Sequence, residues 1–146
     1  MLSTPHMLVG AVIVKIIPNP FLGLPLAILS HFILDSMPHW DWKPPTPPYT
    51  KISFFKTAAD LLIGSLIVYS ITLKDSNQAY ILAGALAGIL PDVLQGIIAF
   101  LNFSLKRNFV SSYSNWHGKI QKRLAFFPGL FLMTAVVLIG ILIITR

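Results

Sequence analysis

Ser30-His31-Phe32-Ile33-Leu34-Asp35-Ser36-Met37-Pro38-His39-Trp40-Asp41 closes an apolar run that begins at Phe21. The run itself reads as a helix over about Phe21 to Met37. His31 and Asp35 stand four apart, so on that helix their side chains share one face. Pro38 ends the helix, and His39 and Asp41 follow on the turn that leaves it. Imidazole and carboxylate, two of them from a helix end and two from the adjoining turn, form the ligand set that Zn²⁺ or Mn²⁺ prefers.

The composition says what surrounds this cluster. Of 146 residues, 55 % are hydrophobic and only 11 % charged, where a soluble domain carries roughly 25 % charged. Mean hydropathy is +0.74, and several apolar runs approach the roughly 20 residues that span a bilayer. The chain reads as one integral-membrane domain over residues 1–146, an all-α bundle of about five helices. Cysteine is absent, which removes disulfides and thiolate ligands. The net charge of +6 fits topology setting and contact with anionic lipid headgroups, not nucleic-acid binding. The first apolar run has no basic segment before it and no small-residue cleavage site after it, so it is expected to be a retained helix.

In chain order, Thr4-Pro5 resembles an N-cap followed by proline at the first helical position, opening a short helix to about Ile17. Pro18-Asn19-Pro20 separates it from the helix of the opening stretch. Residues 43–50 are proline-rich and cannot be helical. A third helix covers about Ile52 to Leu73, and Lys74 to Gln78 form a polar turn. A fourth helix, about Ala79 to Phe103, is interrupted at Pro91-Asp92, and its Gly84 and Gly88 let a neighbour approach closely. Residues 104–123 read as a long polar connector, and the last helix covers about Leu124 to Ile144. With five crossings, Lys43, Lys51, Lys56, Lys106, Arg107, Lys119, Lys122 and Arg123 fall on or near one side. Lys15, Lys74 and Arg146 fall on the other. That asymmetry makes the first side cytoplasmic.

All four histidines (His6, His31, His39 and His117) and four of the five acidic residues (Asp35, Asp41, Asp60 and Asp92) belong to that same side. Glutamate is absent, so these are nearly the whole acidic inventory. Each has a plain structural alternative. Asp60 could pair with Lys56 one turn earlier, Asp92 could cap a helix break at Pro91, and His39 and Asp41 could be polar residues beside the interfacial aromatics Trp40 and Trp42. A lone histidine such as His6 or His117 needs no special explanation. Their shared side makes a metal site of His6, His31, Asp35, His39, Asp60, Asp92 and His117 the sharper expectation, with Asp41 as general base or histidine-orienting group.

These residues also carry a resemblance. Thr4-Pro5-His6, Ser30 through Pro38 (a Ser-His-x₃-Asp-x₂-Pro block), Leu90-Pro91-Asp92 and Trp116-His117-Gly118 are similar to the motifs of small bacterial membrane-bound metal-dependent hydrolases. That family is itself similar in motif to zinc-dependent phospholipase C. The chain departs from it where Val93-Leu94-Gln95 follow Leu-Pro-Asp in place of Asp-His, and in block order. The resemblance implies a divalent cofactor, zinc or manganese, and a location in the bacterial cytoplasmic membrane. It implies hydrolysis of a phosphoester on a lipid or lipid-linked substrate; Asp41 and Asp92 are the catalytic groups expected for such a reaction. Lys43, Lys119 and Arg123 would attract the phosphate. The other readings are a divalent-cation transporter, against which the last helix shows no polar stripe, and a scaffold with a structural metal.

Overall fold

The computed structural model describes residues 1–42, 51–105 and 109–146. The connector at 43–50 with Lys43, and Lys106 with Arg107, lie outside the described residues. Among the described residues six helices form: α1 (Ser3–Ile16), α2 (Pro20–Ser36), α3 (Lys51–Thr72), α4 (Gln78–Leu105), α5 (Phe109–Ile120) and α6 (Phe126–Ile144). The all-α bundle is as expected, but the count is six, not five. The added helix, α5, lies inside the stretch that composition marks as a polar connector. Phe109, Tyr113, Trp116, His117 and Ile120 recur there at helical spacing, so the segment has an apolar face despite its charges.

α3, α4 and α6 are long and apolar enough to cross a membrane, whereas α1 and α2 are shorter apolar helices. At 14 residues, α1 is about 21 Å long, less than the roughly 30 Å hydrocarbon core. It compensates by position. Met7, Leu8, Ala11 and Val14 are all buried in the main core cluster, beside Val68 of α3 and Ile81 and Ala85 of α4. The outer surface carries large exposed apolar side chains such as Phe55, Leu62, Phe127 and Phe131, as a lipid-facing surface requires.

The small residues Gly84 and Gly88 do admit a neighbour, and it is α1. A Cβ on Gly10 would fall against the Gly84 carbonyl, and one on Gly88 against the His6 carbonyl. Close backbone approach of this kind gives membrane helices the contact that a hydrophobic driving force cannot.

Two poles result. At one, Lys15 of α1 donates to Asp75 in the α3–α4 turn at 3.1 Å and to the Ile144 carbonyl of α6 at 2.6 Å. Tyr80 also donates to the Ile17 carbonyl there. At the other pole, the residues after α2 run alongside those before α6. His39 N–H donates to the Lys122 carbonyl at 2.9 Å, and Leu124 N–H to the His39 carbonyl at 2.7 Å. Gly129 of α6 makes room for the Trp40 backbone.

Two local expectations need correction. Thr4 is not an N-cap; it lies in the first turn of α1, after Leu2, which makes no side-chain cap. Pro91 does not interrupt α4, which runs through it. Proline there removes only the N–H that the Ala87 carbonyl would have used.

Candidate metal centre

The second pole gathers polar residues of three helices. His31 and Asp35 come from α2, Asp92 from α4 and His117 from α5, and each offers a ligand atom within 4.8 Å of the others. His31, Asp35 and His117 are fully buried. His31 Nε2 lies 3.2 Å from His117 Nε2, 3.4 Å from Asp35 Oδ2 and 3.9 Å from Asp92 Oδ1, and His117 Nε2 lies 2.8 Å from Asp35 Oδ2.

The far sides of the rings decide what those atoms can do. His31 Nδ1 donates to the Gly88 carbonyl at 2.9 Å, and His117 Nδ1 donates to Gln95 Oε1 at 2.7 Å. A neutral imidazole that donates from Nδ1 carries its lone pair on Nε2. Two lone pairs therefore face each other and the oxygens of Asp35 and Asp92. Electron-rich atoms this close need a cation or a shared proton between them. Outer hydrogen bonds that fix the histidine tautomer are characteristic of metal ligands. The donor set and its tautomers fit a divalent ion, and this group could hold one.

Asp35 divides its two oxygens between two tasks. Oδ2 faces the paired Nε2 atoms, with Gln121 Nε2 donating weakly at 3.4 Å. Oδ1 accepts from the Met1 ammonium at 2.7 Å and from His6 Nε2 at 3.2 Å. His6 stacks on His31 with ring centroids 4.1 Å apart. It thus uses its Nε2 proton to hold the carboxylate, and it stands behind the four-residue group instead of within it. Its Nδ1 is buried with no hydrogen-bond partner.

The remaining expected residues are placed as follows. Asp60 is not brought to the cluster. Its Oδ2 accepts from the Ser3 and Thr4 amides and its Oδ1 from the Thr4 hydroxyl at 2.7 Å. An aspartate on α3 thereby caps α1, whose orphan N–H groups have no cap of their own. This corrects both the ligand assignment and the Lys56 alternative. His39 is buried just outside the group, donating from Nδ1 to the Met37 carbonyl at 2.8 Å, while its Nε2 has no hydrogen-bond partner. Burial holds its pKa below the usual histidine value, and the nearby Met1 ammonium adds to that. Asp41 Oδ2 is 3.7 Å from the Met1 ammonium, on the Oδ1 side of Asp35 and away from Asp92. Tyr113 donates to the Pro91 carbonyl at 3.1 Å, and burial raises its phenol pKa.

Sequence reading missed Gln95, Gln121 and the Gly88 carbonyl. Gln95 had a signal, because it follows Asp92 by three positions and so shares its helix face.

Asp92 is the member with access. Its side chain keeps 12 % exposure and borders a cavity of about 280 Å³ between α3 and α4. No family model, curated protein or solved structure matches the chain.

Proposed function

We propose that this protein is a membrane-embedded metal-dependent hydrolase acting on a phosphoester of a lipid or lipid-linked substrate. The observation that carries the reading is the convergence of the His31 and His117 Nε2 lone pairs on the carboxylates of Asp35 and Asp92. Ligands about 2.0–2.1 Å from a tetrahedral zinc ion lie about 3.3 Å from one another, and a hydrolytic site keeps one of the four positions for water. The separations of 2.8, 3.2 and 3.4 Å among the facing atoms of His31, His117 and Asp35 bracket that value, and the fourth position, beside Asp92, would be left for water. Zinc is therefore the favoured ion and manganese the second. The motif resemblance points the same way.

When bound, such an ion supplies Lewis acidity toward a phosphoryl oxygen and acidifies water. The chain's own residues do the rest. Gln95 and the Gly88 carbonyl lock the two rings, and His6 and the Met1 ammonium hold Asp35 by its outer oxygen. Asp92, at the cavity wall, is the carboxylate able to meet substrate or accept a proton. Lys119 and Lys122 are exposed near the same pole and favour approach of a phosphate. The basic asymmetry supports a cytoplasmic orientation of this pole in a bacterial inner membrane.

One observation favours a second reading, a structural centre without turnover. Asp35 already has the Met1 ammonium, His6, His31 and His117 around it, and a closed network of this kind needs no substrate. Asp92→Asn separates the two, since it keeps shape but removes charge. The detergent-purified protein is assayed for bound metal and for hydrolysis of phospholipids and small phosphoesters with Zn²⁺ and Mn²⁺. A hydrolase loses turnover by about 10–100-fold or more in Asp92→Asn while staying folded. A folded, metal-loaded parent that cleaves nothing leaves the structural centre.

A further inference from the structure

We propose that the cavity between α3 and α4 receives the apolar chain of an anionic phospholipid, entering sideways from the bilayer and ending with its phosphate at Asp92. This deepens the hydrolase reading and rests on it for the assignment of the lipid as substrate.

Three observations carry it. The first is polarity along the cavity. Ser53, Thr57, Ala58 and Leu61 of α3, with Ser3 of α1 beside them, face Ile89, Val93 and Gly96 of α4 in a lining that is mostly hydrocarbon, while Asp92 and Gln95 stand at the wall shared with the metal centre. Gln95 is also the residue that accepts from His117, so the polar end of the cavity is continuous with the ligand shell. A small polar molecule has no use for the apolar part, and a plain hydrocarbon has none for the polar end. A molecule with one of each matches both.

The second observation is where the cavity opens. Exposed apolar side chains neighbour its lining residues along the two helices, Phe55 and Leu62 on α3 and Leu94 and Ile97 on α4. These positions fall inside the stretches apolar enough to cross a membrane. The mouth therefore faces lipid tails, not water.

The third is Gly96. Glycine in a helix interior weakens the helix, and close packing usually explains it. Here a Cβ would meet nothing within 4 Å among the described residues, unlike Gly10, Gly84 and Gly88, which sit against backbone. The missing side chain at Gly96 keeps the cavity open. Charge completes the match, because the chain carries +6 and Lys119, Lys122 and Arg123 are exposed near this pole, where an anionic headgroup would lie.

The test uses the full chain in lipid nanodiscs doped with phosphatidic acid that carries a diazirine on its acyl chain. Cross-links are mapped by mass spectrometry in the parent, in Gly96→Leu and in Ala58→Phe, which fill the cavity from opposite walls. Gly96→Ala serves as a folding control that leaves most of the space. The expected result is labelling concentrated on residues 53–61 and 89–97. It falls at least fivefold in both filling variants, with bound metal unchanged, and persists in Gly96→Ala. Diacylglycerol with the same diazirine should label the cavity several-fold less, because it lacks the phosphate. Labelling spread evenly over exposed helix faces such as that of α6, or unchanged by both filling variants, overturns the proposal.

Labelling is read without turnover, so the two readings fail separately. A parent that labels in the cavity yet hydrolyses nothing supports the occupant and refutes the hydrolase. A parent that cleaves short soluble phosphoesters but shows no cavity labelling supports the hydrolase and refutes the occupant.

Discussion

Asp60 offers a sharp test, because its carboxylate lies inside an apolar helix and serves another helix's end. Asp60→Ala leaves the Ser3 and Thr4 amides without their acceptor in a site where both residues are buried. An unsatisfied buried donor costs about 1–3 kcal/mol. The Thr4 amide contact is long at 3.3 Å, and the Thr4 hydroxyl keeps the Asp60 backbone carbonyl at 3.2 Å, so the lower half of that range applies to the sum. The expected loss is about 2–4 kcal/mol. Asp60→Asn keeps one oxygen for the two amides and offers its NH₂ to the Thr4 hydroxyl. It forfeits only the negative charge at the α1 N-terminus, about 0.3–1 kcal/mol. Thermal unfolding of the detergent-solubilised protein should therefore rank parent, Asn and Ala in that order. Bound metal per folded chain should be the same in the parent and Asp60→Asn. A folded Asp60→Asn protein that loses metal as completely as His31→Ala would refute the capping account and return Asp60 to the ligand set.

Gly10→Ala should destabilise by about 1–3 kcal/mol through overpacking, since the added methyl meets the Gly84 carbonyl of α4; the melting temperature reads it. His39 titrates below its ordinary 6.5 because it is buried, so the unfolded chain takes up the proton first. Its contribution to stability is full above about pH 6.5 and falls as pH drops below that value. The stability difference between pH 7.5 and 5.5 should accordingly be smaller in His39→Gln than in the parent. The Asn77 amide, and then Lys15, hold the Asp75 carboxyl below its usual value of 3.8, so its contribution is present above about pH 3.8 and lost below it. A Lys15→Met, Asp75→Asn double-mutant cycle at pH 7 should give a coupling under about 1 kcal/mol, as the pair is partly exposed.

Much of this architecture was legible because membrane helices announce themselves by length and apolarity. The boundaries of α1 to α4 fall within two residues of those read from turn and proline signals. The exceptions have physical causes. α5 was hidden because helix calling by apolar length fails for a 12-residue amphipathic helix, although its apolar positions keep helical spacing. The interruption at Pro91 did not occur because a proline costs one hydrogen bond, which a packed helix can tolerate. The i, i+4 pair His31 and Asp35 was readable from spacing alone. Asp92 and His117 could be assigned to the correct pole but not to contact with that pair, since contact depends on how α4 and α5 pack against α2.

Three of the five aspartates show why the pole is a candidate site and not leftover polarity. Asp75 is met by the Asn77 amide and the Lys15 ammonium. Asp60 is met by two amides and a hydroxyl. In both cases the carboxylate faces donors, the arrangement expected when its role is to satisfy the backbone or balance a charge. Asp35 differs within one side chain. Its Oδ1 faces donors, but its Oδ2 faces two ring nitrogens whose protons are committed on their far sides to Gly88 and Gln95. A purely structural network would relax by rotating a ring or shifting a tautomer so that a proton stood between them. For His31 the partner at Nδ1 opposes that shift, because the Gly88 carbonyl can only accept. A divalent ion or a shared proton at the middle would satisfy these atoms, and the residues that three helices bring there could hold the ion.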